Sequence, residues 1–269
     1  MNESPTSGSQ PLVTRADTGA VAVLALNDPD KLNALSTPML HALASALDDI
    51  AADPAVRVVV IRAEGKAFCA GHDLREIQAA RQSPDSGATA FEALFALCAR
   101  VMQQIAALPK PVIAQVHGIA TAAGCQFAAT CDMVVASDHA RFGVNGVNIG
   151  LFCSTPIVAL SRKIPHSAAF ELAATGEFLS AARAQTLGLA NRVTSADALS
   201  HETMALAQTL AQKLPAALSI GKAAFAAQTG LPLDQAYAAA GAAMVDNLLD
   251  TSTSEGISAF LEKRAPNWA

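Results

Sequence analysis

Residues 117–132 read HGIATAAGCQFAATCD, a run of glycines, alanines and small polar residues with no Asp, Glu, Lys or Arg before Asp132. Small residues accumulate where a backbone has to come close to something, either another element or a ligand. After His117, the first sizeable polar side chain in the run is Gln126. An apolar stretch, PVIAQV (111–116), precedes the run, and another, MVVASD (133–138), follows it. This order of strand, tight turn, short helix and strand is the grammar of a parallel α/β fold.

The same grammar extends outward. AVAVLALN (20–27), VRVVVIRA (56–63) and ANRVTS (190–195) complete a set of five strand candidates, the middle ones apolar throughout, as expected of strands buried on both faces. Between them, TPMLHALASALDDIAADP (37–54) reads as a helix with Thr37 as its cap and Pro38 in the first turn. FEALFALCARVMQQIAALP (91–109) reads as a second helix, and QSPDSGAT (82–89) as the polar loop before it. From residue 198 the strand signals vanish and the pattern is helical to the end. The chain divides into a disordered polar N-terminus (1–16), an α/β core (17–197) and an all-helical C-terminal region (198–269).

At 269 residues the chain can bury a sizeable core without staples. Its five cysteines, Cys69, Cys98, Cys125, Cys131 and Cys153, form no CxxC pair and no zinc-like spacing, so they read as reduced thiols, with no metal expected. A net charge of −5 with scattered Lys and Arg offers no footprint for nucleic acid. No stretch approaches the ~18 uninterrupted apolar residues of a membrane helix, and the N-terminus lacks the apolar heart of a signal peptide. The expectation is a cytoplasmic protein without a membrane partner.

A second small-residue loop, GKAFCAGHDLREI (65–77), follows the strand VRVVVIRA. Both loops read as strand-to-helix turns at the carboxyl edge of a parallel sheet, where ligands bind and helix N-termini offer free N–H groups. Ala70 and Gly71 in this loop, with Ala123 and Gly124 in the other, can bring two such groups to one oxygen, polarise a carbonyl and stabilise an enolate. The plainer reading of each loop alone is close packing of a helix against the sheet. Neither loop carries a GxGxxG or GxxxxGKS phosphate pattern.

Taken in order, LNDPDKLNALS, GKAFCAGHDLREI, the long segment from KPVIAQVHG to VNIGL, TGEFLSAARAQTLGLANRV and SAFLEKRAP resemble the enoyl-CoA hydratase/isomerase (crotonase) family over residues 18–268. The resemblance implies a spiral of ββα units, a helical region that builds homotrimers or hexamers, and an acyl-CoA or enoyl-CoA thioester as ligand. No tightly bound cofactor is implied, since coenzyme A arrives as part of the substrate. The oxyanion hole carries over to Ala70 and Ala123. The coenzyme A path carries over to Lys31, Leu32, Ala34, Lys66, Ala67, Ala70, Asp73, Leu74 and Gly118, with Lys263 placed to reach the nucleotide end.

Hydratases of this family add water with two glutamates. Their positions fall here on Gln126, whose amide cannot exchange a proton at neutral pH, and on Gly146, which has no side chain. His72, at a position usually small in the family, is the nearby group with a suitable pKa range, and Asp73 reads as a cap or brace. Cys153, His117, Asp132, Glu171 and Glu177 read as structural or solvated groups. The functional expectation is therefore a hydratase/isomerase-like thioester-binding protein. A thioester hydrolase or isomerase working without the glutamate pair, and a catalytically silent acyl-CoA binder, are the alternatives.

Overall fold

The computed structural model describes residues 10–268. The chain runs through β1 (Val13–Thr18), β2 (Val21–Leu26), α1 (Thr37–Ala52), β3 (Val58–Ala63), β4 (Ala67–Cys69), α2 (Leu74–Ala80), α3 (Ala88–Ala107), β5 (Val112–Val116), β6 (Ile119–Thr121) and α4 (Ala123–Thr130). It continues through β7 (Met133–Ser137), β8 (Arg141–Gly143), α5 (Ser154–Leu160), α6 (His166–Thr175), β9 (Phe178–Ser180), α7 (Ala181–Leu187) and β10 (Arg192–Thr194). Four helices close it: α8 (Leu199–Ala211), α9 (Pro215–Gln228), α10 (Leu233–Leu249) and α11 (Thr251–Leu261).

The strands form two sheets. Six of them, in the order β1-β2-β3-β5-β7-β10, make a large sheet that is parallel except for β1, and β4-β6-β8-β9 make a small one. Three successive turns, β3-β4, β5-β6 and β7-β8, each contribute a longer strand to the large sheet, a three-residue strand to the small sheet, and then a helix. This is the ββα spiral that the resemblance implies. Apolar side chains cover both faces of the large sheet, one face in the main core with α1, α3 and α4, the other against Leu199, Leu206 and Ala207 of α8. That sandwiching explains why Val58–Ile61 and Val112–Ala114 are apolar without alternation.

Three expectations need correction. Residues 13–16 belong to β1, which pairs antiparallel with β2, so the polar tail ends sooner than residue 16; residues 1–9 lie outside the described residues. The cap of α1 is Ser36, whose Oγ accepts from the N–H of Met39 at 3.3 Å, rather than Thr37. The two small-residue loops leave the short strands β4 and β6, so they open at the edge of the small sheet and not directly from β3 and β5.

By length and composition α3 could span a membrane, yet Leu94, Leu97, Cys98, Val101, Met102 and Ile105 are buried in the main core. The helical end from α8 onward is as expected. α9 is fastened to the core by one side chain: the Lys222 ammonium donates to the carbonyls of Ile105 and Lys110 at 3.0 and 3.1 Å and to Asp132 at 2.7 Å. Asp132 also accepts from the N–H of Val112 at 2.7 Å, which explains its place at the end of the opening motif. Replacing Lys222 by Met leaves these acceptors without their charged donor, so urea unfolding should show a loss of about 2 kcal/mol or more. An unchanged midpoint would mean that α9 does not depend on this contact.

Candidate active site

The first loop is built on the segment before α1. Leu32 and Asn33 adopt left-handed backbone (φ 54 and 53), unusual for residues with side chains. Asn33 is buried and makes the turn possible: its Nδ2 donates to the carbonyls of Glu64 and Ala67 at 2.8 and 2.9 Å, and its Oδ1 accepts from the N–H of Asp28 at 2.9 Å. The loop answers with three bonds to the same segment. The Ala70 N–H donates to Leu32 O at 3.1 Å, the Leu35 N–H donates to Gly71 O at 2.7 Å, and His72 Nδ1 lies 3.0 Å from Leu35 O. Asp73 then caps α2 by accepting from the N–H of Arg75 at 2.9 Å, as expected of a brace.

These bonds move one assignment. The Ala70 N–H is already committed to Leu32, so Ala70 cannot supply the oxyanion donor that the sequence places there. Two residues on, the N–H of His72 meets no acceptor among the described residues. In the second loop, Ala122 is held at φ 49 by donating to Gly143 O at 2.9 Å, while its own carbonyl accepts from the N–H groups of Cys125 and Gln126. The N–H of Ala123, at the first position of α4, likewise meets no acceptor among the described residues.

What the small residues of the opening motif come close to is the other loop. A Cβ on Gly124 would lie 2.2 Å from Cys69 O, and one on Gly71 would lie 2.9 Å from Ala122 Cβ and 3.3 Å from Ala123 N. At Gly118 the obstacle would be Lys66 O, at 2.5 Å. Close packing thus accounts for the glycines, and the same packing brings the free N–H groups of His72 and Ala123 onto abutting backbone.

The titratable groups sort clearly. His72 packs its ring edge-on against Phe95, with centroids 5.6 Å apart, and burial lowers its pKa against the opposing pull of the Leu35 bond and the Glu76 carboxylate. Among the described residues its buried Nε2 has no partner, and the same holds for Oε1 of Gln126, a residue only 6% exposed. Burial pushes the thiols of Cys69 and Cys125 up to about 12 and raises Cys153, so none is a ready nucleophile. His117 bonds Gly65 O at 2.9 Å, and Glu171 and Glu177 lie exposed.

Along the expected coenzyme A path, Lys31, Lys66 and Leu74 are exposed, whereas Ala34 and Ala67 are buried and shape the path only by packing. Lys263, with φ 56 just past α11, belongs to the terminal helices and not to the two loops. Gly146 needs a second correction. It is buried in a 3-10 turn, where a Cβ would meet Leu151 O at 2.4 Å and Cys153 Sγ at 2.8 Å, so this position is a packing contact and supplies no catalytic group. Sequence reasoning missed Asn33 and the N–H of His72, because the bonds that single them out join residues some 30 or more positions apart.

Two sheets wound from ββα turns, with two loops abutting at helix N-termini, define the crotonase class of α/β proteins. Residues 16–269 match the model of the family described as enoyl-CoA hydratase/isomerase. A zebrafish (Danio rerio) relative, enoyl-CoA hydratase domain-containing protein 3, mitochondrial, is 42% identical over 97% of this chain and 89% of its own. Among solved structures, an enoyl-CoA hydratase of Mycobacterium smegmatis aligns with TM-score 0.92 and 52% identity, covering 96% of this chain and 99% of that one. Human enoyl Coenzyme A hydratase domain-containing protein 3 aligns with TM-score 0.88 and 41% identity, covering 96% and 100%. The chain belongs to the enoyl-CoA hydratase/isomerase family.

The packing at Gly146 can be checked by itself. Gly146→Ala forces a methyl group against the Leu151 carbonyl, and overpacking of this kind costs about 1–3 kcal/mol. Thermal unfolding should show a lowered midpoint. A variant as stable as the parent would mean that the turn has room for a side chain.

Proposed function

We propose that the chain binds an acyl or enoyl thioester of coenzyme A and polarises its carbonyl between the N–H groups of His72 and Ala123. The observation that carries this reading is the pair of uncommitted N–H groups on two loops in contact, in a family whose members are named for enoyl-CoA chemistry. Ala123 opens an eight-residue helix buried on all sides, so its N–H works in a dry setting where a dipole is felt strongly. Lys31 and Lys66, exposed beside the loops, suit the phosphates of the coenzyme. The reaction class is hydratase/isomerase-like. A silent binding role is the second reading, favoured by the amide of Gln126 and the bare Gly146 at the positions where the family resemblance puts carboxylates.

A conjugated enoyl thioester such as cinnamoyl-CoA reports carbonyl polarisation directly, because its absorption moves to longer wavelength as electron density is drawn to oxygen. Mixing with the protein should produce that shift, while free coenzyme A and cinnamate should give none. Ala123→Pro removes one N–H at a helix position that tolerates proline. The shift should shrink, and any turnover should fall by about 10²–10³-fold, the usual effect of losing one such donor. Absence of binding by the parent protein would sink the reading.

The helical end supports assembly. Phe225, Leu249 and Phe260 are 75%, 77% and 82% exposed, and Leu233, Tyr237 and Met244 extend the same apolar surface over α10. Faces of this kind are normally covered. We take the cover to be further copies of the chain, in a trimer or its doubled hexamer. Light scattering at micromolar concentration should give at least three times the monomer mass of 27.5 kDa, and a stable monomer would refute the assembly.

A further inference from the structure

A cavity of about 260 Å³ opens beside the residues that lead into β3 and β5, whereas the two loops lie beyond the other ends of those strands. Three connections meet there. The entry to β3 brings Arg57, the entry to β5 brings Lys110, and the joint between α8 and α9 brings Lys213, with Ser219 following in α9. No carboxylate lines the cavity, although the chain as a whole carries a net charge of −5. Among the described residues none of the three cations forms an ion pair. The carboxylates beside them are engaged elsewhere, Asp53 with Arg15 at 2.6 Å and Asp132 with Lys222 at 2.7 Å. Arg57 donates to Ala211 O at 3.3 Å, and the Lys110 ammonium donates to the carbonyls of Ile50 and Asp53. These bonds hold both side chains in place and leave each with further N–H donors. Burial lowers the pKa of Lys110 against the pull of the Asp53 carboxylate, the mark of a charge short of a counter-ion.

We propose that this cavity binds a small tetrahedral dianion of the inorganic phosphate class, held by Arg57, Lys110 and Lys213. Three cations without an acid between them match a double negative charge, and the fork of a guanidinium fits two oxygens of a tetrahedral anion. Size narrows the ligand further. A water occupies about 30 Å³ of liquid, so the cavity admits such an anion with several waters and leaves no room for a nucleotide. Pro54, Pro109, Pro111 and Pro215 line the walls, and their fixed φ angles hold the three connections in shape before any ligand arrives. A bound anion would tie the α8–α9 joint to the entries of β3 and β5. It would thus fasten the helical end to the core at a second place, apart from the contacts of Lys222.

The chain carries its own probe. Trp268, its single tryptophan, donates from Nε1 to Gln212 O at 2.9 Å, next to Lys213, so its emission reports on the joint. Inorganic phosphate titrated into the full chain, with sodium chloride keeping the ionic strength constant, should change that emission saturably and raise the thermal midpoint by about 2–4 °C. Arg57→Gln should weaken the apparent affinity about 10-fold or more, and Lys213→Gln should weaken it too. Arg183→Gln removes the same charge from an exposed position on α7 and should behave as the parent does. Lys213 is exposed and bonds no other residue among those described, so its variant tests the site even if Arg57→Gln fails to fold. A midpoint that rises linearly with phosphate, equally in parent and variants, is general salt exclusion and overturns the site. Saturation that survives both substitutions overturns it as well. Free coenzyme A is the other source of phosphate groups: phosphate saturation that it leaves unchanged supports the assignment. Displacement of phosphate by coenzyme A at lower concentration than phosphate itself requires would make the cavity part of the coenzyme path and overturn it.

Discussion

The carbonyl oxygen of Cys69 occupies the space that a side chain at residue 124 would need, and much of the site follows from that approach. Only glycine at 124 lets α4 start against the end of β4. Only glycine at 71, with φ 88, lets the returning loop pass Ala122. Once the two backbones are this close, their carbonyls and N–H groups must be shared out. Leu32 takes the Ala70 N–H, Gly143 takes that of Ala122, and those of His72 and Ala123 are left over. The uncommitted donors are thus a by-product of packing, made durable because the helix behind them is buried from Ala123 to Ala129.

The brace on the other side is Asn33. A single amide satisfies two carbonyls and one N–H in a segment whose backbone twice enters the left-handed region. With those bonds in place, residues 31–35 form a rigid rail, and the first loop is stitched along it by Ala70, Gly71 and His72. The position of the imidazole is therefore set by main-chain bonds and not by its own rotamer alone.

The long strands, the helical C-terminal region and both glycine-rich loops were legible in the sequence, because each rests on composition or on local periodicity. β4, β6, β8 and β9 were not: three residues are too few to show alternation, and AFC, IAT, RFG and FLS become strands only because a neighbouring turn of the spiral pairs with them. β1 was hidden for a related reason, since its outer residues are exposed and polar while the apolar pattern lies in its partner β2. At the site, Ala123, Gln126 and His72 stood out by spacing and residue type. The exchange of Ala70 for His72 as donor depended on Leu32, 38 positions earlier, and the clash at Gly146 on a turn that folds back through Leu151.

The strand order also sets a timetable. Cys69 and Gly124 meet only when two successive turns of the spiral have stacked, and parallel pairing of this range costs loop closure before any contact rewards it. Isolated stretches of the nascent chain can form α1 or α3, but none can hold the two loops together. A partly folded chain therefore displays apolar strand edges before the two loops are held against each other.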